Sequence, residues 1–185
     1  AATAEKEIVV NGMSSSQRNS PYANSGIVVE IRPEDLTDYS QYGVMAGLHF
    51  QAELEKLAYT NNGGLGQTAP AQRLADFVKG KLSADLPACS YLPGIISSPL
   101  HFWLPPIIGK SLREGFKKFD RKMHGFLTNE AVVVGVETRS SSPLRIPRNK
   151  ETMQHIQIEG LYPCGEGAGY AGGIVSSAVD GIKCA

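Results

Sequence analysis

Residues 160–173 read GLYPCGEGAGYAGG, and IVSSAVDGIKCA follows at 174–185. Six of the fourteen residues at 160–173 are glycine. Glycine weakens the interior of helices and strands, and it is used where a backbone takes unusual dihedral angles or comes close to another group. The segment therefore predicts a binding turn between a short strand, residues 160–164, and a C-terminal helix.

The order of strand, glycine turn and helix is typical of an anion or nucleotide site. Free N–H groups and the dipole at a helix start favour a phosphate, and glycines let the phosphate approach. The match to G-x-G-x-x-G is only partial, because Tyr170 stands where the third glycine would fall. No Gly-Lys-Ser/Thr follows, so the turn is not a P-loop. From the residues alone, a phosphate-binding turn and a turn that serves only tight strand–helix packing both remain open.

The composition predicts a folded, soluble protein with one ordinary domain, and it excludes several function classes. Of the 185 residues, 42% are hydrophobic and 19% are charged, which permits a packed core. The 18 basic residues balance 18 acidic ones, which argues against nucleic-acid binding. No apolar run approaches the roughly 20 residues of a membrane span, and no signal peptide is visible. Three scattered cysteines favour a reducing compartment, so we expect a cytoplasmic protein.

Hydrophobic spacing predicts both strands and helices along the chain. Strands are expected at residues 8–10, 27–31 and 131–138. One helix is expected around Phe50 to Ala58, one after a Thr68 cap with Leu74 and Phe77 on its buried face, and one over residues 112–126. The proline-rich stretch 86–106 is expected to be an ordered, mostly irregular connection.

The C-terminal segment GLYPCGEGAGYAGGIVSSAVDGIKCA resembles the end of the uncharacterised FAD-dependent dehydrogenases, a branch of the glutathione-reductase-like flavoproteins. VNGMSSSQRNSPYANSGIVVEI, APAQRLADF, SYLPG and ETRSSSPLRIPR resemble further segments of this family in the same order, so the resemblance covers nearly the whole chain. It implies an α+β fold that is a fragment of an α/β flavoprotein. Residues 1–136 would form a substrate or insert lobe with a small sheet and helices, and residues 137–185 would belong to the FAD site.

The resemblance also implies the residues of that site. The Gly-acid pair would touch the ribityl chain and pyrophosphate of FAD, and the cofactor contacts would be Gly165, Glu166, Gly167, Gly169, Tyr170, Gly172 and Gly173. Substrate or flavin contacts are expected at Arg18, Asn19, Ser20, Arg139, Ser141 and Arg145. The alternatives are a solvated glutamate at 166 and surface ion pairs for Arg139 and Arg145. No catalytic residue and no metal-binding cluster is indicated.

The dinucleotide fingerprint of this family lies upstream of every segment found here. We therefore expect a missing N-terminal FAD-binding domain of the same polypeptide. FAD would be retained by the full-length oxidoreductase and not by this chain alone. We expect this chain to self-associate or to repack its C-terminal segment on its own N-terminal strands. An NAD(P)H donor and a small-molecule substrate are expected, with no nucleic-acid or membrane partner. The alternative is a non-catalytic module that binds a ligand or partner through the glycine turn as an anion site.

Overall fold

The computed structural model describes residues 4–12 and 16–185; the rest, including residues 13–15 of the N-terminal loop, lie outside the described part. Helices and strands both occur, which confirms the predicted α+β class. The helices are a 3-10 helix (Pro33–Met45), α1 (Ala46–Thr60), α2 (Leu74–Lys79), α3 (Leu100–Trp103), α4 (Pro106–Lys122) and α5 (Ile174–Cys184). The strands are β1 (Ala69–Arg73), β2 (Ile95–Ser97) and β3 (Val132–Val134).

The three strands form one small mixed sheet in the order β2-β1-β3. Ala71 of β1 pairs in parallel with Ser97 and antiparallel with Val134. The helix predicted after Thr68 is wrong over residues 69–73, because this stretch is buried between two strands and tertiary pairing overrides the local signal. The helical part of that prediction begins only at Leu74.

Two segments predicted as strands are extended without joining the sheet in the described part of the chain. In the first, Ile8 and Val10 are buried, and their N–H groups donate to the carbonyls of Glu55 (3.1 Å) and Val136 (2.9 Å). The second, residues 27–31, also forms no ladder. At residues 8–10, single hydrogen bonds and core burial therefore replace the expected ladder.

The hydrophobic core contains side chains from α1, α2, α3 and α4 and from the sheet. Phe77 of α2 is fully buried and lies edge-on to Phe116 of α4, with 5.9 Å between the ring centroids. The predicted helices around 50–58 and 112–122 are confirmed, although α4 ends before Phe126, whose ring packs on Phe119. The stretch 86–106 is more regular than predicted, because it contains β2 and α3.

The chain divides into two compact units. The first unit comprises Ala1–Ile31 and Ala52–Glu137, and it holds the sheet and the core. The second comprises Arg32–Gln51 and Thr138–Ala185, and it holds the glycine turn and α5. The predicted ranges 1–136 and 137–185 concern roles in a parent protein, which this division does not test. In the described residues, no helix is long and apolar enough to cross a membrane.

Candidate functional site

The glycine turn closes on itself through two backbone hydrogen bonds. The N–H of Tyr170 donates to the carbonyl of Gly165 (3.0 Å), and the N–H of Gly169 donates to that of Glu166 (2.9 Å). Gly165 and Gly169 have φ values of +71° and +81°, a region that favours glycine. The preceding residues 160–164 are not a strand: among the described residues they have no ladder partner.

Gly169 is required by the packing of the chain itself. A Cβ at this position would collide with the carbonyl oxygen of Leu144 and would lie 3.0 Å from the Cα of Arg145. The neighbouring Ile146 N–H donates to the carbonyl of Ala168 (3.1 Å), which holds the 138–148 loop against the turn. Close approach of two backbones explains this glycine without any ligand.

The other side of the turn is open. A Cβ at Gly167 would meet no atom within 4 Å, and one at Gly172 would lie at an ordinary 3.7 Å from the carbonyl oxygen of Ser140. Neither residue has a φ in the left-handed region. Within the described residues, the N–H groups of Gly167 and Gly172 donate to no protein acceptor. Internal packing therefore leaves these two glycines unexplained, whereas an outside group that approaches the backbone would require them.

Helix α5 begins directly after the turn and adds to this open edge. Its N-cap, Gly173, gives no side-chain cap, and the hydroxyl of Ser176 donates to the Gly173 carbonyl (2.9 Å). The first N–H groups of a helix have no partner inside the helix, and the helix dipole places partial positive charge there. The turn and the helix start thus form one continuous stretch suited to an anion.

Glu166 is the acidic residue of the turn and is half-buried. Its carboxylate makes no hydrogen bond or ion pair to any described residue. An ionised carboxylate is an acceptor with two oxygens, so this side chain can accept hydrogen bonds from ligand hydroxyl groups.

Tyr170 connects the turn to the 138–148 loop. Its hydroxyl donates to the carbonyl of Ile146 (3.1 Å) and accepts from the N–H of Arg148 (3.1 Å). The guanidinium groups of Arg145 and Arg148 lie 5.0 Å and 3.7 Å from the ring centroid. The Arg145 Nε also donates to the carbonyl of Gly169 (3.0 Å). Tyr170 and Arg145 thus shape the turn, and their predicted contact with a ligand stays a prediction.

The strongest ion pair of this site was missed from the sequence. Arg148 and Asp180 are joined by two hydrogen bonds of 2.6 and 2.9 Å, and Asp180 also accepts the N–H of Gly165 (2.9 Å). The bonds from Arg148, and then the one from Gly165, lower the pKa of Asp180 to about 2. The hydrogen bond to Asp180 raises the pKa of Arg148. The two residues are 32 positions apart, so no local pattern indicates their pairing.

The remaining predicted site residues lie at several places. Arg18, Asn19 and Ser20 belong to the first unit and are exposed, and the Ser20 hydroxyl accepts the N–H of Tyr22 (3.2 Å). In the second unit, Arg139 is half-buried and interacts with another group, whereas Ser141 is exposed. Their contacts with substrate or flavin stay predictions. The described residues contain no group of three side chains able to hold a metal ion.

Comparison with known proteins gives two matches. A family model described as FAD-dependent protein, C-terminal domain-like, matches residues 1–140. A protein of Clostridium beijerinckii described as "Uncharacterized protein" is 42% identical over 187 residues, a match that covers 100% of this chain and 34% of that protein. The family match ends before the glycine turn, and the match to the relative includes it. The chain spans about a third of the length of this curated relative.

Proposed function

Because this chain belongs to the FAD-dependent protein C-terminal domain-like family, we propose that it is the C-terminal part of an FAD-dependent oxidoreductase and supplies one wall of the FAD site. The observation that carries the proposal is the open edge of the glycine turn. Gly167 has space for an outside group and a backbone N–H with no acceptor among the described residues. A phosphate that approaches such a backbone gains hydrogen bonds that side chains would block.

The donors at this edge fit a pyrophosphate. The N–H groups of Gly167 and Gly172, together with the first amides of α5, would hold the phosphate oxygens. The carboxylate of Glu166 would accept hydrogen bonds from the hydroxyls of the ribityl chain. Gly165, Gly169, Tyr170 and Gly173 would then act by setting the backbone on which these contacts depend.

A plain anion site in a non-catalytic module would use the same amides. Glu166 favours the flavin nucleotide, because its carboxylate can accept hydrogen bonds from the hydroxyls of a polyol, which a simple anion lacks. The family match points in the same direction.

When bound, FAD supplies the hydride or electron transfer, and the protein supplies binding and orientation. We infer that NAD(P)H is the electron donor and that the first unit forms part of the lobe for a small-molecule substrate. The exposed loop with Arg18, together with Arg139 and Arg145, would provide donors for that substrate. We further infer a cytoplasmic protein, in keeping with the three free cysteines.

The proposal predicts the effect of Glu166→Ala on the full-length protein that contains this chain. Loss of a hydrogen bond to a carboxylate should weaken FAD binding about ten- to hundredfold without unfolding the protein. The matched control is Glu159→Ala, which removes an exposed glutamate of the same unit. FAD affinity is measured by flavin fluorescence after dialysis. Equal affinity of the Glu166 and Glu159 variants would contradict the role of Glu166.

A further inference from the structure

Arg148 and Asp180 join the segments on both sides of the glycine turn. The Nη1 and Nη2 atoms of Arg148 lie 2.9 and 2.6 Å from the two carboxylate oxygens of Asp180 on α5. The same Nη1 donates to the carbonyl of Pro163 just before the turn (2.7 Å). The carboxylate in turn accepts the N–H of Gly165, the first residue of the turn, at 2.9 Å. The pair therefore connects the loop, the entry to the turn and the helix that follows it.

The pair is largely removed from solvent, unlike the pair of Arg73 and Asp85. The side chains of Arg148 and Asp180 are 8% and 14% exposed, whereas Asp85 in the pair with Arg73 is 79% exposed. Exposed pairs contribute little to stability. A shielded pair that makes further hydrogen bonds to the backbone fixes geometry instead, because breaking one partner leaves the other unsatisfied. Which part of the chain the pair holds in place therefore depends on the segments that it joins.

Because Asp180 accepts a hydrogen bond from the N–H of Gly165, the part that the pair holds in place is the glycine turn. Gly165 has a φ of +71°, and its peptide orientation sets the direction of the peptide groups that follow. On the proposed function, those following groups bind the cofactor. We propose that Arg148 and Asp180 are positioning residues that hold the glycine turn in its FAD-binding conformation without touching FAD themselves.

The identity of Arg148 matters for this role. A guanidinium presents several N–H donors in a fixed plane, so one side chain can bind a carboxylate at two points and a carbonyl at a third. It also lies 3.7 Å from the centroid of the Tyr170 ring, which a planar cation can cover. A lysine keeps the charge but not this geometry. Arg148→Lys should therefore lose the positioning role of Arg148.

The test measures FAD affinity of the full-length protein with Asp180→Asn and, separately, Arg148→Lys. Each substitution should weaken binding about tenfold, the usual loss for a charged hydrogen bond. Asp85→Asn is the matched control, because it removes the carboxylate of the exposed Arg73 pair and should leave affinity unchanged. Circular dichroism reports folding, and if one of the two variants does not fold the other carries the test.

A double-variant cycle separates positioning from general destabilisation. Gly167→Ala adds a methyl group to the open edge and should weaken FAD binding by itself. If Asp180 acts through the turn, Asp180→Asn should have a smaller effect in the Gly167→Ala protein than in the wild type. Additive effects of Asp180→Asn and Gly167→Ala on FAD affinity would overturn the positioning role. The role would also be overturned if Asp180→Asn and Arg148→Lys both bound FAD with wild-type affinity while Gly167→Ala bound it weakly. Wild-type affinity of Gly167→Ala would instead overturn the proposed function.

Discussion

Gly167 and Gly169 stand two positions apart in the chain, and the structure requires them for different reasons. At Gly169, a Cβ would collide with the backbone of Leu144 and Arg145, and φ is +81°. At Gly167, a Cβ would meet nothing within 4 Å. One glycine therefore serves the folding of the turn, and the other leaves room for a group from outside the chain.

The first residue-scale prediction concerns Gly169→Ala. A positive φ and a backbone collision both penalise alanine, so the free energy of unfolding should fall by about 1–3 kcal/mol with no flavin present. Urea denaturation of the flavin-free protein measures this loss. The control is Gly115→Ala in α4, where a Cβ meets no atom within 4 Å and alanine should stabilise the helix by up to about 1 kcal/mol. Equal stability of the two variants would refute the packing role of Gly169.

A buried amide forms a hydrogen bond with the ring of His101. Gln72 is fully buried, and its Nε2 donates to the carbonyl of Lys81 (2.6 Å) and lies 2.7 Å from Nδ1 of His101. The Nδ1 atom must accept this hydrogen bond, so the ring is neutral. Burial, and then the charge of Arg113, lower the pKa of His101 below its usual 6.5.

This arrangement predicts a loss of stability in mild acid. A histidine with a lowered pKa in the folded state binds fewer protons than in the unfolded state, so its contribution is complete above pH 6.5 and is lost as pH falls through the lowered value. The thermal midpoint of the wild type should fall between pH 7 and pH 5, and that of His101→Gln should fall less. Parallel pH profiles of the two proteins would contradict this role of His101.

At the residue scale, the glycine turn could be predicted from the sequence, but the ion pair between Arg148 and Asp180 that holds it could not. Glycine density and the helix that follows are local signals, and the structure has the turn and the helix where they were predicted. Arg148 and Asp180 could not be paired from the sequence, because nothing local marks a contact across 32 positions.

At the scale of elements, the long amphipathic helices were predictable, and so was β3, which lies within the strand predicted at residues 131–138, whereas β1 and β2 were not. Helix α4 repeats its apolar residues over 17 positions, so its pattern is clear. Strands β1 and β2 have five and three residues, and β1 contains Pro70, which is unusual in a central strand. Such strands form because they pair with neighbouring strands of the sheet, and this pairing involves residues that are distant in the sequence.

Helix α5 exposes most of its apolar side chains within the described part of the chain. Ile174 is 83% exposed, Val175 75% and Ile182 77%, and no residue of the helix is buried. The predicted lack of packing partners at Ile174, Ala178 and Ile182 agrees with these exposures. An apolar face of this kind seeks a partner surface.

We therefore predict that the 185-residue chain self-associates through α5. Light scattering should show a mass that rises with concentration, and Ile174→Ser with Ile182→Ser should reduce this mass because both side chains leave the apolar face. The control is Leu92→Ser, which removes an equally exposed apolar side chain, 98% exposed, from the first unit. A monomer at all concentrations, or equal association of both variants, would contradict the prediction.

At the scale of the whole molecule, the family match and the glycine turn concern different parts of the chain. The family match covers residues 1–140 and therefore all of the first unit and part of the second, whereas the turn, α5 and the Arg148–Asp180 pair lie in the rest of the second unit. The relative from Clostridium beijerinckii is similar over both units and is about three times as long. We expect most of the FAD-binding energy to come from the rest of the full-length protein.

The most direct test of the central claim is the FAD affinity of the full-length protein with Gly167→Val. The structure leaves open space at this position, so the flavin-free variant should unfold at the wild-type temperature. If the turn lies against FAD, the valine side chain occupies the space of the cofactor, and we predict a loss of affinity of at least about a hundredfold, or roughly 2.7 kcal/mol. Wild-type affinity in a folded Gly167→Val protein would contradict the claim that this turn forms a wall of the FAD site.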